Sequence, residues 1–520
     1  MQLTRTTSLL TASLVLALTF APLGAQPTTP GGQRPQTGGR GQNAAAPPAT
    51  AAPEAAARAT PPPPEQTVVT HHSANIGGKT INYTATAGTY IIKDDAGTPK
   101  ATFFYVAYTK DGVTDPGTRP VSWIYNGGPG SGSLFTHMGF GPKRPALTPD
   151  GHGMPAPYRY VDNEDSFLDS TDLVIVDAIS TGYSRPAPGQ ATSQFWGIVE
   201  DANYFSDFIY QYITRNERWT SPKYLIGESY GTTRSAELSG VLFEKHQIYL
   251  NGIVLVSTVA FTDNSADDRY AFFLPTMTAT AWYHKRLSPE LEKLTIEQIT
   301  QKSREFAHGE YAATLEKGDL ATPAEKQKTV ADMAAITGLS PTYIEYANLR
   351  VSPQRFFKEL ERDKRRTVGR LDGRFEGYDE EAAGERPEGD TSEDTYEGSF
   401  VATWQDYVRR ELNWKTEDYY TTTARVQPWD QTGNTQVAEV LRSAMTRTGV
   451  KVLVVCGYYD FATPFNGIEH TVQHMHLEPP FQKNISFSYY EAGHMVYIDE
   501  KAHHKLHKDV DAFIDSTFKP

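Results

Sequence analysis

The segment best suited to nucleophilic chemistry is Gly227-Glu228-Ser229-Tyr230-Gly231. It fits G-x-S-x-G and lies between a short apolar run, Lys223 to Gly227, and a helical stretch, Thr232 to Lys245. Small residues on both sides permit a sharp strand-to-helix turn that projects the Ser229 hydroxyl outward. The start of a helix also points backbone N–H groups at developing negative charge. The bland alternative is a chance Gly-Ser turn, and the strand and helix flanks argue against it.

A second segment, Asn126-Gly-Gly-Pro-Gly130, follows the apolar run Val121 to Tyr125. Glycines there let backbone approach a reacting carbonyl closely. The N–H groups of Gly128 and Tyr230 are the expected oxyanion hole, since a loop after an earlier strand and the residue after the nucleophile are the usual donors. A phosphate loop would need a following Lys-Ser/Thr or a G-x-G-x-x-G pattern, and neither is present. Asp460, in Gly457-Tyr-Tyr-Asp460, and His494, in Glu491-Ala-Gly-His-Met495, each follow a strand-like run. The order Ser, Asp, His is that of α/β-hydrolases. His494 is expected to take and return the Ser229 proton, and Asp460 to orient the imidazole. Asp499 is a rival acid, but it follows the histidine and so breaks that order.

The remaining candidates read as structural. His470, His474 and His476 could share part of a helix face, as could His503, His504 and His507. No H-E-x-x-H pattern accompanies them, so neither metal nor cofactor is expected. Cys456 is the one cysteine. It lies in the apolar run Val452 to Cys456 and reads as a buried thiol with no disulfide partner.

The elements that must position these groups alternate. Strand-like runs occur at Thr80 to Lys93, Ala101 to Thr109, Val121 to Tyr125, Asp172 to Ile179, Lys223 to Gly227 and Gly252 to Val256. Helical spacing occupies Gln194 to Ile213 and Thr232 to Lys245. The rhythm stops near residue 262 and returns near 430, with strands at Val450 to Gly457 and Ile485 to Tyr490 and helices near Thr435 to Arg447 and Ala502 to Phe518. The pattern predicts an α/β-hydrolase fold: a mostly parallel central sheet with helices on both faces and an inserted helical cap. Residues 66–261 and 430–520 would form the hydrolase domain, and residues 262–429 the cap. Within the latter, Asp372 to Glu397 is rich in glycine and acid and reads as an exposed loop.

Of 520 residues 39% are hydrophobic, and the net charge is −13. No Lys/Arg-rich stripe suggests a nucleic-acid partner. Residues 1–25 read as a signal peptide, with Arg5, the apolar run Leu9 to Leu18 and the small pair Gly24-Ala25. The run is too short for a comfortable span, so stable membrane insertion is not expected and a secreted or periplasmic location is. Export without disulfides fits a bacterial protein. Residues 26–65, ending in Pro61-Pro62-Pro63-Pro64, read as a disordered linker.

Asn126-Gly-Gly-Pro-Gly130, Gly227-Glu-Ser-Tyr-Gly231, Gly493-His-Met-Val496 and Asp177 to Ser184 together resemble the serine carboxypeptidase family, in what looks like a bacterial branch. The resemblance implies an acyl-enzyme mechanism on the C-termini of peptide substrates, without a cofactor. It also implies that Asn126 and Glu228 bind the substrate's free carboxylate. Three positions depart from the family pattern. Ile124 stands where a Trp is common, Gly139 where a Glu is common, and Ser131 where a Cys is common. In the family the first two positions belong to carboxylate recognition. An esterase or acyltransferase could use the same triad, because acyl chemistry does not fix the leaving group. A non-enzymatic binding module would be expected to have lost a triad member.

Overall fold

Apolar residues alternate in side along the strands that carry the motifs, and this alternation builds two cores, one on each face of a sheet. The computed structural model describes residues 61–261, 267–433 and 436–518. The segment 1–25 read as a signal peptide, and the stretch read as a linker up to residue 60, lie outside them, and residues 61–66 carry no regular secondary structure. Nine strands form the main path: β1 Thr67–Ile76, β2 Lys79–Lys93, β3 Pro99–Lys110, β4 Val121–Tyr125, β5 Asp172–Val176, β6 Lys223–Glu228, β7 Gly252–Val256, β8 Lys451–Gly457 and β9 Ile485–Tyr490. Their spatial order is β1-β2-β3-β5-β4-β6-β7-β8-β9. Pairing is antiparallel from β1 to β5 and parallel from β5 to β9.

Parallel strands need crossovers, and helices supply them on both faces. The helices that frame the site are α1 Leu134–Phe140, α2 Ile198–Arg215, α3 Tyr230–His246, α4 Asp268–Tyr283, α5 Ile296–Phe306, α6 Pro323–Thr337, α7 Thr391–Arg410, α8 Val437–Thr448, α9 Phe465–Gln473 and α10 Glu500–Thr517. One core joins Trp123, Val174, Leu225, Ile253 and Val452 to α2, α3 and α8. The other joins Ile124, Leu173, Ile226, Val254 and Leu453 to α1, α7 and α10. Ligands in such sheets bind at the carboxyl ends of the parallel strands, where β4, β6, β8 and β9 all run into the motif loops.

The segment read as one helical cap contributes to both of these cores, Ala279 and Ile296 joining the first, and builds another of its own. Helices α4 to α6, with Phe356, Phe357 and Val368, form a third cluster that includes Phe461. Helix α7 instead sends Tyr396, Phe400, Trp404 and Tyr407 into the core on the sheet's own face. Each such burial contributes roughly 2–3 kcal/mol, so α7 is part of the body that holds the sheet. Asp372 to Glu397 is an exposed loop in its middle, residues 378–389, but not at its ends. Asp372 is 2% exposed, and the last residues of the stretch are already helix α7, capped by the Asp390 side chain on Ser392 N. Asp372 accepts from Gly493 N and pairs with Arg374, which composition alone does not reveal.

Candidate active site

Ser229 ends β6 and opens α3 with φ 59° and ψ −127°, a conformation a side chain rarely adopts. Its N–H is tied to Val256 O of β7 at 3.0 Å. The turn is so tight that a Cβ on Gly227 would lie 2.2 Å from Gly231 O. The glycine loop packs against the same turn. A Cβ on Gly127 would stand 2.3 Å from Tyr230 N. The Tyr230 N–H belongs to the first residue of α3, where no intrahelical acceptor exists. Gly128, the next residue of the glycine loop, has φ 104°, a conformation open to glycine.

A buried ion pair locks loop to helix. Arg234 of α3 donates through Nε to Asp201 Oδ2 at 2.7 Å and through Nη1 to Asn126 O at 2.8 Å. Its guanidinium lies 4.3 Å from the Phe205 ring centre. The Tyr230 hydroxyl donates to the same Asp201 oxygen at 3.2 Å. On the outer side, residues 421–424 pair with Gly130, Gly132 and Gly182, and Trp429 meets Tyr230 edge-on at 5.2 Å. The end of the insertion therefore lies along the oxyanion loop.

Asp460 is fully buried. Its Oδ1 accepts from Ala462 N and Thr463 N at 2.8 and 2.9 Å, and its Oδ2 accepts from Thr463 Oγ1 at 2.5 Å and His494 Nδ1 at 2.8 Å. Nδ1 of His494 thereby carries the proton and Nε2 is left as the basic nitrogen. Burial pulls the His494 pKa down, but the charge and hydrogen bond of Asp460 outweigh it and leave it raised. The His494 backbone is held on both sides: its N–H donates to Leu371 O at 2.6 Å, and its carbonyl accepts from Ser257 Oγ at 2.5 Å. Ser257 directly follows β7, the strand that anchors Ser229 N. Asp372 accepts from Gly493 N at 2.9 Å.

Glu228 and Asn126 meet beneath the elbow. Asn126 Nδ2 donates to Glu228 Oε1 at 3.2 Å, and Tyr497 Oη donates to Glu228 Oε2 at 2.6 Å. Burial raises the Glu228 carboxyl to about 7, against the opposing pull of His494 and the Tyr497 hydrogen bond. Tyr497 was not among the residues expected from sequence; its position three beyond His494, and the missing acid at Gly139, were the available signals. Arg234, Asp201, Thr463 and Asp372 were likewise unannounced; Arg234, Asp201 and Asp372 act through partners distant in sequence, and Thr463 through the nearby Asp460.

The other groups are committed elsewhere. Asp499 caps α10 through Ala502 N at 3.0 Å and pairs with Arg374. His507 Nε2 stands 3.0 Å from Asp169 and 3.3 Å from Asp511, a trio that could offer ligands to a cation but is already hydrogen-bonded within itself. His470 and His474 stack at 4.0 Å. The Cys456 thiol is buried in β8, and burial pushes its pKa well up. No helix among the described residues is long and apolar enough to cross a membrane.

A family model described as serine carboxypeptidase matches residues 79–503. No curated protein sequence matches the chain. Among solved structures it is similar to Kex1Δp, a prohormone-processing carboxypeptidase from Saccharomyces cerevisiae, with 15% identity and a TM-score of 0.52 over 84% of this chain and 92% of that one. It is also similar to a proline iminopeptidase from Mycobacterium smegmatis, at 12% identity and a TM-score of 0.36, covering 83% of this chain and 98% of that one. A thermostable carboxyl esterase from Bacillus coagulans matches at 10% identity and a TM-score of 0.36, covering 82% and 97%. The likeness to the yeast carboxypeptidase is one of fold.

Proposed function

The chain belongs to the serine carboxypeptidase family, and from that premise we propose that it is an exported enzyme that shortens peptides from their C-termini through an acyl-enzyme on Ser229. His494 Nε2 takes the Ser229 Oγ proton as Oγ adds to the scissile carbonyl carbon. The N–H groups of Gly128 and Tyr230 receive the developing oxyanion. The imidazolium, stabilised by Asp460, gives its proton to the departing amine, and the C–N bond breaks. Water then repeats the sequence: His494 takes its proton, hydroxide oxygen adds to the acyl carbon, and Ser229 Oγ leaves with the proton returned.

The observation that carries this reading is the hydrogen bond from His494 Nδ1 to Asp460 at 2.8 Å, held at the same end of the sheet as the strained Ser229 turn. Asn126 and Glu228 bind the substrate's free carboxylate. A neutral Glu228 donates a hydrogen bond where an ionised one would repel, and burial favours the neutral form. The inserted segment shapes the cleft as a cap, since residues 371–372 back the His494 loop and residues 420–429 line the oxyanion loop.

The test is mass analysis of a peptide mixture after incubation, with a fluorophosphonate to label the nucleophile. Ladders shortened from the C-terminus, and label on Ser229, are expected. Ester cleavage without ladders would replace the peptidase reading with an esterase one.

A further inference from the structure

Tyr497 sits on the short turn Val496–Ile498, three residues beyond His494, and is 3% exposed. Its ring meets Phe140 edge-on, centres 4.8 Å apart. The ring also fills the space over Gly139, where a Cβ would come within 2.5 Å of its Cδ2. Only a residue without a side chain at 139 leaves room for the Tyr497 hydroxyl to reach Glu228 Oε2.

We propose that Tyr497 is a specificity-determining positioning residue: its hydroxyl fixes Glu228 Oε2, so that the Oε1 edge shared with Asn126 receives the substrate's free carboxylate. The inference rests on the carboxylate-recognition reading of Asn126 and Glu228. The donors and acceptors can be counted. Asn126 Oδ1 accepts from Thr136 N at 2.9 Å and Thr136 Oγ1 at 3.1 Å, which sets the amide so that Nδ2 faces Glu228. One Nδ2 hydrogen goes to Glu228 Oε1, and the other, which lies near the Tyr497 hydroxyl, would turn to the ligand. A neutral Glu228 has one O–H. Both of its oxygens accept, Oε2 from Tyr497 at 2.6 Å and Oε1 from Asn126 at 3.2 Å, and the shorter bond marks Oε2 as the carbonyl oxygen, which leaves the O–H on Oε1 beside Asn126. Two donors then point from one edge, which is what a carboxylate needs. Without the Tyr497 hydroxyl the Asn126 bond alone favours Oε1 as the carbonyl oxygen and turns the O–H away from that edge.

The same bond affects titration. A donor to the carboxylate favours the ionised form, so Tyr497 opposes the upward push of burial. His494 also favours the ionised form of Glu228, and Asp460 disfavours it. Tyr497 itself faces Glu228, Tyr396 and Asn126, with the His503 ring centre 6.4 Å away.

The experiment compares wild type, Tyr497→Phe, Tyr497→Gln, Gly139→Ala and Glu228→Gln on one peptide as its free acid and as its C-terminal amide, across pH. For Tyr497→Phe, the ratio of kcat/KM for acid over amide should fall about tenfold, with KM for the acid rising more than kcat falls. The alkaline rise of that KM should move to higher pH. Tyr497→Gln, which keeps a donor, should recover part of the ratio. Gly139→Ala, which pushes the ring away, should reproduce the loss and carries the test if Tyr497→Phe does not fold. If Glu228→Gln, a neutral donor at every pH, removes the alkaline rise of KM for the acid while both Tyr497→Phe and Gly139→Ala keep the wild-type ratio and pH profile, Tyr497 is not the positioning residue and the carboxylate reading stands. If Glu228→Gln leaves that alkaline rise unchanged, the carboxylate reading falls and this inference falls with it.

Discussion

The two halves of the site are held by different means. The nucleophile and oxyanion half, residues 126–128 and 227–234, is backbone pressed on backbone, with the Arg234–Asp201 pair behind it. All of it comes from the first part of the hydrolase domain. The Asp460 and His494 half stands on loop ends. Its supports are Thr463, Ser257 and, from the inserted segment, Leu371 and Asp372. The first half is held mainly by its own backbone, with residues 421–424 and Trp429 of the insertion along its outer side, whereas the histidine loop of the second takes direct hydrogen bonds from the insertion. A change in the insertion can alter catalysis without touching the nucleophile.

The largest expected effect isolates the chemistry from both supports. Ser229→Ala should lower kcat by on the order of 10³- to 10⁶-fold with the thermal unfolding curve nearly unchanged, since the hydroxyl is not packed in a core. Steady-state kinetics and calorimetry on one preparation would check both. Residual activity near wild type would remove Ser229 from its role.

Breaking the support of the first half comes next. Asp201→Ala leaves the Arg234 charge buried without its partner, and Arg234 is 1% exposed. Breaking such a pair costs about 3–5 kcal/mol, which urea unfolding would read. The Arg234 hydrogen bond to Asn126 O should loosen with it, so kcat should fall in the variant that remains folded. A stability loss below about 1 kcal/mol would mean that the pair does not lock the loop.

Glu228 gives a pH-dependent effect of slightly smaller size. Unfolded, its carboxyl ionises near 4.5; folded, burial raises it to about 7. Between those values the folded state holds the extra proton, so stability falls as pH rises, by up to about 3 kcal/mol. Below the lower value the contribution is fully present. Glu228→Gln should flatten this limb of a stability-versus-pH curve measured by denaturant unfolding. An unchanged slope in the variant would show that another group carries it.

What could be read in advance follows the same division. Ser229, the glycine loop and the strand alternation were legible because a tight turn and a buried parallel strand each demand particular residues locally. Gly252 to Val256 and Ile485 to Tyr490 even match the strands β7 and β9 end to end. The supports of the second half were not legible. Asp372 lies in a glycine- and acid-rich stretch whose composition argues for solvent, and Tyr497 matters only because Gly139 is vacant beside it in space. Strand β1 and helix α1 were also missed. The first is polar along its outer face, and the second is a seven-residue helix with no side-chain cap bond.

The smallest expected effect tests whether the insertion reaches the chemistry. Asp372 Oδ2 accepts from Gly493 N at 2.9 Å, and Oδ1 accepts from Arg374 N at 3.0 Å, so one carboxylate joins the inserted segment to the residue before His494. Arg374 pairs with it at 2.8 Å in a buried place. Asp372→Asn keeps the size but replaces one accepting oxygen by an NH2 group. Whichever way the amide turns, either Gly493 N or Arg374 loses an acceptor. The His494 loop should then lose about one hydrogen bond of definition, roughly 1 kcal/mol, and kcat should fall between about fivefold and tenfold with KM little changed. The Asp460–His494 bond is untouched, so the acidic limb of the kcat profile should keep its position. A shift of that limb would mean that Asp372 acts on His494 by charge. No change in kcat would mean that the second half does not depend on this contact with the insertion.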